Sequence, residues 1–302
     1  PDRVARTTFR RRMNAVVTIA SLLAEATQRI ATANALAPRE ARLEARVLLA
    51  HALGVDQAWL IGHDRDIPTS AQQDRIAALI SRRAEGEPVA YILGEREFYG
   101  RRFKVTPDVL IPRPDTELLV DAALEKLPQD RPAHILDLGT GSGAIAITLA
   151  LQRPFSKVLA VDASSEALAV AQENAYQLGA PNVECIASNW YTVLDVKNFD
   201  IIVSNPPYIA APDPHLTSGD LRFEPHQALA SGADGLNDLR QIISGAPAHL
   251  TEDGWLLLEH GYDQACAVTA LLQHHGFDAI RTLQDLAGHD RVSVGCWPAK
   301  VG

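Results

Sequence analysis

The sequence predicts an α/β fold: a seven-stranded, doubly wound sheet with an antiparallel last strand, preceded by a small helical bundle and a β-hairpin linker. Three observations predict it. Residues 13–87 carry helical patterning alone. Residues 134–297 alternate short apolar strands with helices, which builds parallel neighbours. The last two strands are joined by QDLAGHD, too short for a crossover helix, so that pair should run antiparallel.

The elements follow in order. Residues 1–12 hold five arginines (Arg3, Arg6, Arg10, Arg11, Arg12) and read as an extension or a weak transit peptide. The apolar stretch behind them is broken by Ser21, Glu25 and Gln28, and no small-residue cleavage pattern follows. It reads as an amphipathic helix with Val17, Ile19, Leu22, Leu23 and Ile30 on one face, not as a signal peptide. Pro38 opens the next helix, with Leu43, Val47, Leu48 and Ala52 on its apolar side and Gly54 as its stop. Ser70 is expected to cap another that ends before Gly86. Lacking any catalytic-looking cluster, the helical domain (13–87) reads as a docking or packing module. Residues 88–112 form the expected hairpin linker, turning at Tyr99-Gly100. The third domain, 113–302, opens with a proline-stiffened turn into a helix capped by Asp115 or Thr116.

Composition narrows the function classes. The chain has 302 residues, 47% of them apolar, enough for a core of enzyme size. No apolar run reaches the roughly 18 residues of a membrane span. The net charge is −9, spread as +4 over residues 1–12, −1 over 13–90 and −12 over 91–302. An acidic major domain disfavours a protein held by nucleic-acid phosphates. Cys185, Cys266 and Cys296 fit neither a disulfide framework nor a zinc spacing, so a reducing compartment and no metal are expected.

The strand HILDLG runs into Gly139-Thr140-Gly141-Ser142-Gly143 and then a helix. Glycines serve where backbone must turn tightly and approach a ligand without a Cβ in the way. The spacing is G-x-G-x-G, not that of a dinucleotide site, which disfavours an oxidoreductase. Asp162 ends the next strand 19 residues after Gly143. It can accept hydrogen bonds from ribose hydroxyls or cap the following helix, a task that Ser164 or Ser165 could also perform.

With LDLGTGSG and VDAS in place, the segment resembles the Rossmann-like class I S-adenosylmethionine-dependent methyltransferases. The resemblance implies that the loop (Gly139 to Gly143) lies against the methionine part of S-adenosylmethionine and that Asp162 holds its ribose. S-adenosylhomocysteine would be the product. The acid that family often places after the third strand falls on Asn189, which can accept a bond from adenine but carries no charge. Trp190 would offer adenine an aromatic face or serve as an ordinary core residue.

The fourth strand ends in Asn205-Pro206-Pro207-Tyr208. Two prolines stop a strand. The Asn205 side chain and the Pro206 carbonyl make a pair of rigid acceptors, Pro207 stiffens them, and Tyr208 adds a flat ring. Together they suit a planar –NH2 group. Asn205 can also touch the cofactor through its own NH2. An amide nitrogen is a poor nucleophile because its lone pair is delocalised. Acceptor bonds that strengthen as positive charge grows on that nitrogen favour the transition state.

The loop resembles that of amino-group N-methyltransferases. LIPRPDTE (110–117), NPPYI (205–209), FEPHQALASGADGL (223–236) and DLAGHDRV (285–292) resemble the release-factor glutamine methyltransferases of HemK or PrmC type. That resemblance implies methyl transfer to the side-chain amide nitrogen of glutamine in the Gly-Gly-Gln loop of class 1 peptide-chain release factors. It places Arg113–Glu117 beside the active site without assigning their individual roles. It also implies a cytoplasmic enzyme with no direct nucleic-acid or membrane partner; the Arg-rich start leaves the mitochondrial matrix as the other location. The competing readings are an adenine or guanine N-methyltransferase acting on DNA or RNA, and a non-catalytic cofactor-binding assembly protein. A nucleic-acid enzyme should carry a basic channel and a means of extruding its base. A degenerate copy should have lost part of the Gly loop, Asp162 or Asn205–Tyr208.

Overall fold

The computed structural model describes residues 16–194 and 199–299; the Arg-rich stretch 1–12 lies outside the described residues. The chain divides into two compact units, Pro1–Leu93 and Gly94–Gly302.

The first unit is helical: α1 (Ile19–Asn34), α2 (Pro38–Leu53), α3 (Trp59–Gly62), α4 (Ser70–Ala84) and α5 (Val89–Leu93). Thr18 caps α1 in a reciprocal box with Ser21. Gly54 ends α2 in the left-handed region, as its stop role requires. Two expectations need correction. Thr69, not Ser70, caps α4, because Gln72 three residues on completes its box. Leu43 is 56% exposed, since the inner face of α2 is made by Ala41, Ala45, Leu48, Leu49 and Ala52. These meet Ile30, Ile76 and Ile80 in one core. Inside it, Arg83 donates twice to the Glu44 carboxylate, at 2.8 and 3.1 Å.

The second unit opens with the hairpin β1 (Glu95–Phe98) and β2 (Arg101–Lys104). Tyr99 and Gly100 both have positive φ, the two-residue turn that matches strand twist. Phe98 and Phe103 are buried in the unit's main core, so the hairpin is packed structure. The larger sheet contains β3 (His134–Leu138), β4 (Lys157–Asp162), β5 (Val183–Ala187), β6 (Phe199–Ser204), β7 (Leu250–Glu259), β8 (Asp278–Gln284) and β9 (Asp290–Cys296). Their order is β5-β4-β3-β6-β7-β9-β8, and only β9 is antiparallel to its neighbours. The expected seven strands and antiparallel last strand are both present.

Alternation along the strands fills two layers. Ile135, Ile201, Val203 and Leu257 face one way, toward α6 (Glu117–Lys126) and α7 (Ala144–Gln152). Leu136, Leu138, Ile202 and Leu256 face the other, toward α9 (Asn237–Gly245) and α10 (Ala265–His274). The remaining helix, α8 (Ser165–Leu178), follows β4. Strand order reverses between β3 and β6, and open α/β sheets bind ligands outside the strand ends at that point. Gly139, Asp162, Asn189 and Asn205 all follow or end strands at this edge. The turn before α6 departs from expectation. A single 3₁₀ turn, Pro114–Thr116, runs directly into the helix, and Thr116 makes no capping bond because its hydroxyl is used elsewhere.

Candidate active site

The cleft at the switch point is lined by Gly139, Gly141, Asp162, Asn189, Trp190 and Asn205, among others. Gly139 and Gly141 have φ of 72° and 54°, conformations that favour glycine. A methyl group on Gly139 would stand 3.3 Å from the Trp190 ring, so a side chain there would crowd the cleft wall. Thr140, Ser142 and Gly143 support the loop from behind. The Thr140 hydroxyl donates to Asp137 at 2.7 Å. The Ser142 carbonyl accepts from Asn174 at 2.8 Å. A Cβ on Gly143 would stand 2.7 Å from the Ile147 side chain and 3.2 Å from Ala171 of α8, so glycine lets the start of α7 approach α8 closely.

Asp162 takes the Gly141 N–H on one oxygen and the Ser164 N–H on the other, both at 2.9 Å. Ser164 supplies the α8 cap through its own hydroxyl, so Asp162 is not needed for it. Each Asp162 oxygen retains acceptor capacity beside the cleft. Trp190 stands between cleft and core. It lines the cleft and packs on the core, with its own backbone in the left-handed region at φ 50°. Asp137, which sequence reasoning missed, is fully buried beneath the loop, and burial pushes its carboxyl up to about 7.

A second, smaller cavity adjoins the first. Arg113, Pro206, Tyr208, Leu221 and Leu229 line it, and Leu110, Asn205 and Ala228 border both cavities. Asn205 therefore stands at the junction. Its Nδ2 donates to Thr116 Oγ1 at 3.2 Å. The Tyr208 hydroxyl donates to Glu259 at 3.3 Å. Gln264 donates to the Tyr208 carbonyl at 2.9 Å. Burial raises the Tyr208 phenol above its ordinary range, helped by the Glu259 charge.

The quoted motifs acquire separate tasks here. Arg113 pairs with the buried Glu224, which also takes the Ile111 N–H at 3.0 Å and so ties PRPDTE to FEPHQAL. Asp115 faces Arg291 at 3.7 Å, bringing in DLAGHDRV. Thr116 meets Asn205, and Glu117 accepts the Tyr99 N–H at 2.8 Å. Residues absent from the sequence-derived site include Asp108, Val109, Pro225, Gln227 and Asp238, which line the larger cavity. Pro225 and Gln227 lay within the FEPHQAL motif and Asp108, Val109 and Asp238 just outside the quoted motifs, whose proximity depends on folding. Among the described residues no group of three or more His, Cys, Asp or Glu is arranged to hold a metal ion.

A Gly-x-Gly-x-Gly cleft at the switch point of a seven-stranded sheet with this order and antiparallel last strand defines a class I methyltransferase. Comparison with known proteins narrows the class. Residues 21–94 match the PrmC N-terminal domain, and residues 115–219 match the methyltransferase small domain. A release factor glutamine methyltransferase of Xylella fastidiosa strain Temecula1 is 50% identical over 279 residues, covering 92% of this chain and 98% of the relative. One from Bordetella pertussis is 52% identical over 255 residues, covering 84% and 94%. A methyltransferase structure from Pyrococcus furiosus shares the fold, with TM-score 0.51 at 17% identity, over 72% of this chain and 98% of that one. The chain belongs to the release factor glutamine methyltransferase family, whose methyl donor is S-adenosylmethionine.

Proposed function

We propose that this enzyme methylates the side-chain amide nitrogen of glutamine in the Gly-Gly-Gln loop of class 1 release factors, in the cytoplasm and without a metal. The carrying observation is Asn205, which borders both the glycine-loop cleft and the smaller cavity. A residue there can serve donor and acceptor together.

The cleft suits S-adenosylmethionine. Gly139 leaves backbone where a Cβ would crowd Trp190, Gly141 adopts the positive φ that favours glycine, and Asp162 keeps lone pairs for ribose hydroxyls. Asn189 would accept from adenine, and Trp190 would flank it. When bound, the cofactor supplies a methyl carbon on a sulfonium, an electrophile that needs no Lewis acid. The chain's own task is to prepare the nitrogen. Asn205 Oδ1 and the Pro206 carbonyl would take the two amide hydrogens, fixing rotation about the C–N bond. The Tyr208 ring would cover one face of the amide. Bonds to those hydrogens strengthen as nitrogen becomes positive, so they lower the barrier more than the ground state. Holding nitrogen and methyl carbon near ~3–3.5 Å adds a gain from orientation.

The helical unit would dock release factor. None of its described residues lines either cavity described above. Removing residues 1–93 should therefore cut transfer to intact release factor far more than cofactor affinity, measured by calorimetric titration. Full-rate transfer by the shortened protein would remove the docking role. No direct grip on nucleic acid is proposed, given the charge of −12 over residues 91–302. Among the described residues no helix is long and apolar enough to cross a membrane, and no membrane partner is proposed.

The direct test offers labelled cofactor to release factor, its Gln→Ala variant, DNA and RNA. Label should appear on unmodified release factor alone. Label on nucleic acid alone would overturn the proposal.

A further inference from the structure

A primary amide presents two ends of nearly equal size, and only one can accept a hydrogen bond. If Asn205 prepares an incoming –NH2 as proposed, something must hold its oxygen toward the acceptor pocket and its own NH2 away. The structure contains a chain of groups able to do this. Asn205 Nδ2 donates to Thr116 Oγ1 at 3.2 Å, and Thr116 is only 4% exposed. The Thr116 hydroxyl is also among the groups that hold the Glu259 carboxyl below the value burial alone would give it. Glu259 is 1% exposed and accepts the Tyr208 hydroxyl at 3.3 Å.

We propose that Thr116 and Glu259 are positioning residues that set which way the Asn205 amide faces and hold the Tyr208 ring beside it. Above about pH 7, where the Glu259 carboxyl is ionised, it can only accept. It therefore draws the Tyr208 hydroxyl hydrogen toward itself and favours the same orientation for the Thr116 hydroxyl. Thr116 Oγ1, its hydrogen committed, is left to accept, and the NH2 end of Asn205 satisfies it. Turning the amide over would set two acceptor oxygens against each other in a buried site, the kind of mismatch that costs most where water is absent. The direction of every bond thus follows from the acid at the end of β7.

The construction is more than the core needs. Glu259 Oε2 is buried without a hydrogen-bond partner, and an apolar residue at that position would avoid the burial cost. Burial raises the carboxyl to about 7, opposed by the Thr116 hydroxyl, Arg291 and Tyr208 and reinforced by Asp115. The Arg291–Asp115 pair, 3.7 Å apart, places both signs of charge near this acid. A costly group retained under the residue that would face the substrate has a functional rationale.

This inference rests on the proposed role of Asn205, and the experiment separates the two. Single-turnover transfer to release factor is measured well above pH 7, where Glu259 is ionised, at saturating S-adenosylmethionine for the wild type, Thr116→Val, Thr116→Ser and Glu259→Gln. Cofactor affinity is read by calorimetry, and the release-factor concentration giving half-maximal rate is read for each. Thr116→Val removes both hydrogen-bonding functions at nearly constant shape. It should slow transfer roughly ten- to a hundred-fold, the size of one lost charge-assisted hydrogen bond. Cofactor affinity and half-maximal release factor should stay within about three-fold. Thr116→Ser keeps the hydroxyl and should recover to within about three-fold of the wild type. Glu259→Gln can donate to Thr116, which allows the amide to turn, and should slow transfer about as much as Thr116→Val. Wild-type speed in Thr116→Val, or a serine variant no faster than the valine one, would overturn the inference. If Thr116→Val binds no cofactor and is misfolded, Glu259→Gln carries the decision: wild-type speed there overturns the inference as well. A wild-type enzyme that leaves glutamine unlabelled would instead defeat the proposed function itself.

Discussion

The side of the cleft proposed to hold the cofactor is assembled from neighbours in sequence. Gly139, Gly141, Asp162 and Asn189 come from the ends of three consecutive strands, and backbone shape does much of the work. The side proposed to receive the glutamine amide is assembled from afar. Asn205 reaches Thr116 across 89 positions, Tyr208 reaches Glu259 across 51, and Arg113 reaches Glu224 across 111. A cofactor of fixed shape can be cradled by a local loop. A reluctant amide nucleophile needs side chains of fixed orientation, and fixing them requires several segments to converge.

The largest expected effect tests the acceptor side. Asn205→Ala should slow single-turnover transfer about 10²–10³-fold, near 3–4 kcal/mol, by analogy with losing one preorganised polar group. Its cofactor affinity should fall only modestly. Asn205→Asp keeps an acceptor and should retain more activity than alanine if donation from this residue matters little. Asp162→Ala tests the other side. Losing hydrogen bonds to a charged group costs on the order of 1.5–3 kcal/mol, or roughly ten- to a hundred-fold in cofactor affinity by calorimetry.

A smaller effect probes the acid beneath each half. Asp137 under the loop and Glu259 under the tyrosine are both raised to about 7 by burial. Their folded-state values lie above those of an unfolded chain, so the folded state binds the extra protons. The contribution of these two acids to stability is greatest below about pH 4 and declines as pH rises through about 7. Over that window the melting temperature of the wild type should fall by a few degrees relative to Asp137→Asn or Glu259→Gln, whose own pH slopes should be correspondingly less negative. An unchanged slope in both variants would remove these acids from the balance. The smallest effect is at Asn189, exposed at the cleft rim. Asn189→Asp restores a charged acceptor for adenine and should tighten cofactor binding a few-fold, about 0.5–1 kcal/mol.

The same contrast explains what was legible. The seven strands, the antiparallel last strand and the Gly139–Asp162 spacing follow from local patterning, and the sheet delivers them, whereas the strand order comes only from the fold. Asn205–Tyr208 were visible because four unusual residues sit together at a strand end. Thr116 was not. Its position before a helix suggested a cap, and only the fold shows its hydroxyl turned to Asn205 instead. Glu259 reads as the polar end of an apolar strand, and nothing in LLLEH signals that Tyr208 folds onto it. Leu43 and Ser70 were misjudged for a nearer reason. Alanines formed the packed face of α2, and Gln72 favoured Thr69 as the cap.

The central claim is that the cleft divides its labour, with one side holding the methyl donor and Asn205 preparing the nitrogen. The most direct measurement follows single-turnover transfer to release factor in Asp162→Ala and Asn205→Ala as S-adenosylmethionine is raised to saturation. The account predicts that Asp162→Ala climbs back toward the wild-type rate, while Asn205→Ala stays about 10²–10³-fold slow however much cofactor is supplied. Recovery of Asn205→Ala at saturation, with Asp162→Ala remaining slow, would contradict it.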